Sequence, residues 1–533
     1  MNNAPQKQQF KYVWNSQRGH YNVNLDSPTY NKETKKMEHH YRLVGTAAEK
    51  DGEITFGRKY LLEYGKTQSS FPTVSKTLSV GEKLIIDKVI KDCGIRPLLR
   101  KAFSDSDAEK ILNLAFYTVA TGEPLSSSEA WLDDRGLTGI PDSTIADLLP
   151  RLSLDKAAGF LQMWMDRKCQ KQTLCYDITS VSSYSRSNQY VEYGYNRDRE
   201  KLAQINLAML SSKESGTPVW FTPLNGSMND SKTLKQMVGR LKKMDIKPFA
   251  FIIDRGFYSD SNLQFVADEG IKFIIPVPDS IRWTQKLIVD KKAEMFLNAD
   301  GYITKDNGKI MQSITVFVPQ KDGSRYWLHI YFDPDMRDAS EQYFYSRYSQ
   351  CMQEMQQGEV TEEHEEFCRE FFKYGYNTKN GRKVIPIKSF QEYFAENNFG
   401  YWCIYTNAEK DAKKALDCYR TRNSIEVLFD DLKNSLDGSR LRVHGSASME
   451  GRLFIQFIAL ILLTEIRKVI KEKGSSFAKY CTNPRGLFKR VFSFSRISFK
   501  GKYKDIYSVP TKAQRLIFEA FGIDIPLTDE GSC

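Results

Sequence analysis

The chain has 533 residues, of which 41% are hydrophobic and 27% are charged, and its formal net charge at pH 7 is +11. This is an ordinary globular composition, long enough for roughly three domains, and it excludes a disordered or collagen-like chain. The longest apolar stretch, residues 453–463, falls short of the ~20 residues needed to cross a membrane, so it predicts a buried helix.

The nine cysteines and six histidines are scattered along the chain and show no metal-ligand or redox spacing. We therefore expect buried thiols rather than a zinc site or a disulfide framework. The N-terminal residues lack the apolar segment of a secretion signal, so we expect a cytoplasmic protein without a membrane partner. The Gly65-Lys66-Thr67 triplet lacks the leading glycine of a phosphate-binding loop, so we expect no nucleotide cofactor.

Taken in chain order, residues 1–70 contain short strand-like pieces and many turn residues. The region 71–170 has apolar residues at helical spacing, and residues 126–152 have the outline of a helix-turn-helix. This region is a candidate for DNA binding. Helix pairs of this kind also occur in proteins that never contact DNA, and that alternative stays open.

From residue 171 onward, strands alternate with helices, which predicts an α/β fold. A segment at 279–398 interrupts the alternation with another strand pair and an acid-rich helical stretch at 339–372, and the alternation resumes over 399–466. The strands are expected at 173–180, 189–195, 202–210, 219–223, 249–254, 271–277, 314–318, 326–332 and 401–405, and helices at 231–244 and 261–269.

Positive charge is concentrated in the C-terminal region 467–533. Between residues 467 and 515 there are 14 lysines and arginines against two acids, and aromatic residues interleave with them. Such a mixture neutralises phosphates and stacks on bases, and Lys489 and Arg490 are candidate DNA contacts. The alternative is a small basic subdomain whose aromatic side chains form its own core.

Two strand carboxylates are candidates for catalysis. Asp177 lies in the β-rich run 175–180, where an acid has no reason to be unless its face of the sheet reaches solvent or a metal; the alternative is an edge strand whose Asp faces water. Asp254 ends the apolar run 249–253, at the edge where open α/β sheets bind their ligands. Its alternative role is to begin a turn with Gly256.

A third group of candidates is Tyr419, Arg422, Glu426 and Lys433, whose spacing predicts one face of one helix. A carboxylate flanked by an arginine, a lysine and a phenol suits a metal ion beside phosphates, because the carboxylate takes the cation and the bases take phosphate oxygens. The alternative is a solvated face on which Arg422 and Glu426 form an ion pair worth a few tenths of a kcal/mol.

Asp177, Asp254 and Glu426 are far apart in the sequence and can meet only in a folded α/β domain. Converging acids raise one another's pKa unless cations neutralise them. Hard oxygen ligands select Mg²⁺ or Mn²⁺, and two such ions about 4 Å apart activate an attacking oxygen and stabilise the leaving oxygen of a phosphodiester. The three acids therefore predict cleavage and transfer of nucleic-acid strands.

At these residues the sequence resembles the DDE transposases of bacterial insertion sequences, in the subgroup with a Tyr-x2-Arg-x3-Glu-x6-Lys signature. Tyr419, Arg422, Glu426 and Lys433 match that spacing with nothing inserted. Further motifs that look like this family are Asp-x-Thr-Ser at Asp177, Asp-Arg-Gly-Phe at Asp254, Glu192-Tyr-Gly-Tyr195 and the Asn-Gly-Ser-Met-Asn-Asp run at 225–230.

The resemblance implies an RNase H-like catalytic core, at 171–278 and 399–466, interrupted by a mixed strand and helix insertion domain at 279–398. A helical N-terminal region and a basic C-terminal region flank this core. The resemblance also implies that Asp177, Asp254 and Glu426 are the catalytic metal ligands. Tyr419, Arg422 and Lys433 are implied to hold the phosphates of the transposon ends.

The implied partners are double-stranded DNA, as transposon ends and as target, and a second copy of the chain in a homodimer on DNA. We accordingly expect the protein at the nucleoid. Two alternatives remain open: an RNase H-like nuclease without transposition, and a DNA-binding derivative that has lost catalysis. The expected mark of the second, a missing acid, is not found in the sequence.

Overall fold

The computed structural model of the protein describes residues 9–64, 73–169, 171–185, 187–197, 200–320, 323–377, 381–389, 393–394, 397–438, 440–441, 443–501 and 503–525. The Gly65-Lys66-Thr67 triplet lies outside these residues. Of the helices described, none is long and apolar enough to span a membrane. The chain divides into two compact units, one of Met1–Leu78, Phe494–Val509 and Pro526–Cys533, the other of Ser79–Ser493 and Pro510–Ile525.

Runs of strands and runs of helices follow one another along the described chain. The strands are β1 Gln9–Asn15, β2 His20–Asn31, β3 Lys36–Ala47, β4 Thr55–Phe56, β5 Val74–Ser79, β6 Thr173–Ser183, β7 Gln204–Ser212, β8 Pro218–Asn225, β9 Ala250–Ile253, β10 Lys272–Pro276, β11 Tyr302–Thr304, β12 Ile310–Pro319, β13 Arg325–Phe332, β14 Phe372–Asn377, β15 Gly381–Pro386, β16 Tyr401–Thr406, β17 Arg440–Leu441, β18 Ser495–Phe499 and β19 Ile506–Tyr507. The helices are α1 Arg58–Tyr64, α2 Gly81–Cys93, α3 Ile95–Ala102, α4 Asp105–Thr121, α5 Ser128–Asp133, α6 Asp142–Leu148, α7 Leu154–Lys168, α8 Asp230–Lys243, α9 Asp260–Asp268, α10 Arg282–Leu297, α11 Pro334–Gln357, α12 Glu365–Phe371, α13 Ala412–Arg420, α14 Asn423–Asp430, α15 Ser446–Glu472, α16 Gly474–Ala478, α17 Pro484–Val491 and α18 Lys512–Ala520.

The first unit is built on an antiparallel meander in the order β1-β2-β3-β4. Alternate residues of these strands point to one face, where Val23, Val44 and Tyr60 form a small buried core. The strand-like pieces predicted before residue 70 are thus confirmed. Residues 494–509, which the sequence grouped with the basic C-terminal region, cluster with this unit and carry β18 and β19, which form a sheet with β5.

The second unit contains a ten-stranded mixed sheet, which confirms the predicted α/β fold. Nine strands run in the order β11-β12-β13-β16-β10-β9-β6-β7-β8, and β17 pairs with β6. The strands β6, β9 and β10 are parallel neighbours, whereas β7, β8 and β16 run antiparallel to the strands they join. The central strands β6 and β7 are buried along almost their whole length, as expected for strands covered on both faces.

The segment 279–398 contributes to two different structures. Its strands β11, β12 and β13 extend the main sheet and pair with β16 through β13. Helices α11 and α12 and the β14–β15 hairpin instead surround a separate aromatic cluster that includes Phe344, Phe371 and Phe372.

The long helix α15 forms the centre of the helical part of this unit. Residues 453–463 of this helix are all buried, which confirms the helix predicted from the apolar stretch. A Cβ atom added at Gly451 would lie 1.9 Å from the Leu149 carbonyl oxygen, so only glycine permits this close approach of the two backbones.

One predicted strand is wrong. Residues 189–195 form a loop whose only ladder contact is an isolated bridge between Glu192 and Gln204. The loop packs on another loop instead of pairing as a strand: a Cβ on Gly194 would lie 2.1 Å from the carbonyl oxygen of Gly226.

Candidate active site

The first two acids lie side by side on neighbouring parallel strands. Tyr176 of β6 is the ladder partner of Ile253 of β9, so Asp177 and Asp254 occupy the next positions of the two strands. Because β9 ends at Ile253 and β6 continues to Ser183, Asp177 is inside a strand whereas Asp254 begins a single 3₁₀ turn. The edge-strand alternative for Asp177 is excluded, since β6 lies between β9 and β7.

The guanidinium group of Arg422 joins all three predicted acids. Its Nη2 atom lies 2.9 Å from Oδ2 of Asp177 and 3.7 Å from Oδ2 of Asp254. Its Nη1 atom lies 2.6 Å from Oε1 of Glu426. The acid inside β6, the acid that follows β9 and the acid of a helix therefore converge on a single cation.

The prediction that Tyr419, Arg422, Glu426 and Lys433 share one helix is wrong. Helix α13 ends at Arg420, and α14 begins at Asn423 with Arg422 as its N-cap residue. Between them the backbone amides of Arg422 and Ile425 bond to carbonyls three residues back, which is the tighter 3₁₀ pattern. Tyr419 consequently belongs to α13, and Arg422 lies at the junction.

Lys433 lies in a further irregular element. Residues Asp431–Ser435 form a π-helical turn directly after α14. The buried carboxylate of Asp431 pairs with Arg467 of α15, which fixes this turn against the long helix. Hydrogen bonds from Arg440 and Ser182 lower the pKa of Glu200. The ammonium group of Lys433 makes a smaller contribution in the same direction.

Burial and neighbouring charges together shift the pKa values of the central groups. Burial raises the pKa of Asp177 to about 6, although the positive charge of Arg422 and the hydrogen bond from the Ile178 amide oppose it. Burial also raises the pKa of Tyr419 to about 12. For Arg422, burial disfavours the charge, but Asp177 and Asp254 outweigh that effect and the pKa is raised.

The chemistry of the donor set fits a hard divalent cation. The three carboxylates supply oxygen ligands, the type that Mg²⁺ and Mn²⁺ prefer, and they already face one shared positive group. As they stand, the carboxylates are arranged around the guanidinium. Among the described residues, no three His, Cys, Asp or Glu side chains are grouped as a metal site.

Sequence reasoning missed two polar residues that are hydrogen-bonded to each other, Arg197 and Asn206. Arg197 donates through Nη1 to the Ser180 hydroxyl at 3.3 Å and to Oδ1 of Asn206 at 3.4 Å, and its charge acts on Asp177. Asn206 is buried in β7 between apolar neighbours. A polar residue inside an apolar strand was the available signal for Asn206, whereas Arg197 follows a motif in a loop with no regular pattern.

Lys489 and Arg490 lie in the last turn of α17 and are both exposed. The aromatic side chains of the tract 467–515 are divided: Phe477, Phe488 and Phe494 are buried, whereas Phe492 and Tyr503 are about half exposed. Rings of this tract are buried in both units, so they do not form the core of one basic subdomain, and two exposed rings remain.

The predicted buried thiols are confirmed for most of the cysteines. Of the eight described cysteines, all are free thiols and seven are buried.

The three acids lie within a region that matches a known protein family. A family model described as "Transposase DDE domain" matches residues 168–462, which include all three acids. None of the curated proteins compared with the chain matches it.

Two solved transposase complexes align with the chain. The piggyBac transposase synaptic complex with hairpin DNA aligns at 10% identity and a TM-score of 0.36, over 76% of this chain and 70% of that one. The Drosophila P element transposase strand transfer complex aligns at 14% identity and a TM-score of 0.18, over 48% of this chain and 50% of that one. Because the family model spans more than half of the chain, this protein belongs to the DDE transposase family.

Proposed function

We propose that the protein is a transposase of an insertion sequence that binds the terminal inverted repeats of its element, cuts the DNA and joins the freed ends to a target. The proposal includes an RNase H-like core, Mg²⁺ or Mn²⁺ as cofactor, double-stranded DNA as partner, and two chains acting together on DNA. The observation that carries it is the convergence of Asp177, Asp254 and Glu426 within 4 Å of the single guanidinium of Arg422.

In this proposal Asp177, Asp254 and Glu426 hold two divalent cations, which when bound activate the attacking oxygen and stabilise the leaving oxygen of the phosphodiester. Arg422 and Lys433 hold phosphates of the transposon end. The planar guanidinium group of Arg422 suits carboxylates and phosphates alike, since it forms paired hydrogen bonds with either group. Tyr419, whose hydroxyl lies 3.5 Å from Oδ1 of Asp254, positions the strand beside the acids.

The test is strand cleavage and joining of labelled transposon ends into a plasmid in the presence of Mg²⁺. Substituting Glu426 by Ala should reduce both products by at least about 100-fold, because a charged group at the reacting centre is lost, while binding of the ends stays within a few-fold. The matched control is Asp430→Ala, an exposed acid on the same helix that lies outside the cluster. A Glu426→Ala protein that cuts as well as its parent contradicts the assignment.

The same assay separates the proposal from the nuclease alternative. A transposase yields labelled ends covalently joined to the plasmid, whereas a nuclease yields only cut ends. Mass measurement of the joined complex should give two protein chains, and a single chain would contradict the proposed dimer.

A further inference from the structure

A polar crevice opens close to Asp254, and the cleavage chemistry proposed above does not use it. It has a volume of about 220 Å³, and its lining includes Tyr195, Arg197, Asn206, Ser227 and Gly256. Gly256 comes two residues after Asp254, so the crevice adjoins the C-terminal end of β9. The two family-like loops, at 192–197 and 225–229, supply most of its walls.

Hydrogen bonds from two buried side chains, Asn206 and Gln204, connect these two loops. Asn206 donates through Nδ2 to the carbonyl oxygen of Met228 at 3.1 Å, while its Oδ1 accepts from Arg197. Gln204 donates to the carbonyl oxygens of Tyr195 and Gly226, at 2.8 and 3.2 Å.

The carboxylate of Glu192 makes a second connection between the loops. It accepts hydrogen bonds from Asn225 at 2.7 Å and from the amide and hydroxyl of Ser227. The crevice therefore has fixed walls, which is what a binding site needs if the ligand is to be held without reordering the loops.

The chemistry of the lining favours an anion attached to a flat or apolar group. Arg197 presents a guanidinium, and none of the lining residues that the structure describes is acidic. Tyr195 is 82% exposed and Tyr193 is 78% exposed, which is unusual for tyrosines in a loop held this firmly. A cation beside an exposed ring is the combination with which proteins bind a nucleotide within a DNA strand.

We propose that this crevice binds a nucleotide of the DNA strand next to the phosphodiester held by the acids. Arg197 contacts its phosphate, and the ring of Tyr195 packs against the adjoining nucleoside. This inference rests on the proposed function, because it assigns a place to the DNA that the protein is proposed to cut. It also gives the loops at 192–197 and 225–229 a function, which is to bind a DNA strand next to the acids.

The experiment measures binding of a short mixed-sequence DNA duplex to the full-length protein by fluorescence anisotropy, at several salt concentrations. Arg197→Gln should reduce the slope of log affinity against log salt by about 0.9, because one phosphate contact is lost. Arg197→Lys keeps the charge and should keep the slope. Tyr195→Ala should weaken binding roughly fivefold or more at every salt concentration without changing the slope.

Two matched controls report on non-specific effects. Lys247→Gln removes an exposed cation that precedes the opposite end of β9, and Tyr343→Ala removes a tyrosine of α11 that is 65% exposed. Arg197 bonds to Ser180 and Asn206, so the melting temperature of each variant is measured as well. Tyr195→Ala keeps the test decisive if Arg197→Gln does not fold.

The inference is overturned if Arg197→Gln folds and keeps the parent's salt slope, or if Tyr195→Ala binds as tightly as Tyr343→Ala. That result differs from a failure of the proposed function. In the latter case the parent protein itself cuts no DNA in the presence of Mg²⁺.

Discussion

At the scale of single residues, burial and neighbouring positive charge act in opposite directions on the pKa of Asp177. Its carboxylate is buried inside β6, and the Arg422 guanidinium, one backbone amide and the charge of Arg197 favour its ionised form. The folded state therefore binds a proton at this group more readily than the unfolded chain does, because its pKa lies near 6 instead of the ordinary 3.8. The stability that Asp177 contributes is present at low pH and is lost as the pH rises through about 6.

Asp177→Asn should therefore stabilise the protein at neutral pH in a chelating buffer. The Asn side chain does not ionise, so it avoids a cost of up to about 3 kcal/mol that the charged Asp177 imposes at pH 7. Thermal melting of the two proteins should coincide near pH 4, which serves as the internal control, and the variant should melt higher at pH 7. A variant that melts lower at pH 7 than the parent would show that the ion pair with Arg422 outweighs burial.

A meeting of Asp177, Asp254 and Glu426 in the folded chain was predictable from the sequence, since each is a carboxylate at a place where an α/β domain presents groups to ligands. The bridging position of Arg422 was not. Asp177 and Asp254 are far from Arg422 in the sequence. The spacing of the residues around Arg422 does not indicate that its guanidinium reaches both acids.

At the scale of elements, apolar periodicity correctly indicated most strands and the buried helix α15. It failed at the junction of α13 and α14, because the 3₁₀ bonding of Arg422 and Ile425 changes the turn without changing the apolar spacing. It also failed at residues 189–195. The alternation there is that of a strand, but Gly194 and Gly226 bring two loops into contact, which only the folded chain reveals.

Gly451→Ala provides a test of helix packing at this scale. Alanine normally stabilises a helix interior by about 1 kcal/mol relative to glycine. In α15 the added methyl group would lie 1.9 Å from the Leu149 carbonyl oxygen, so we expect a lower melting temperature instead. The control is Gly239→Ala in α8, where no atom lies within 4 Å and the melting temperature should rise slightly. Equal shifts in both variants would contradict the packing.

At the scale of the whole molecule, the charge is distributed unevenly. The excess of lysine and arginine between residues 467 and 515 accounts for the net charge of the chain. Part of this charge is used internally, since Arg467 pairs with Asp431 and Lys468 with Glu465. The composition of this tract does not indicate which of its cations face solvent. In the structure, the side chains of Lys489 and Arg490 are exposed.

Replacing Lys489 and Arg490 together by Gln should flatten the salt dependence of DNA binding. Two lost phosphate contacts lower the slope of log affinity against log salt by about 1.8. The matched control replaces Lys242 and Lys243, another adjacent basic pair in the last turn of a helix, by Gln. A slope equal to the parent's would remove Lys489 and Arg490 from the proposed DNA surface.

The ladder pairing of Tyr176 with Ile253 has a consequence for how this protein tolerates change in length. The separation of Asp177 and Asp254 is set by interstrand hydrogen bonds, and the chain that connects the two strands has no part in it. Residues added to the turn between β7 and β8 would leave the pair intact. One residue added within β9 would turn Asp254 to the opposite side of the sheet and leave Asp177 without its neighbour.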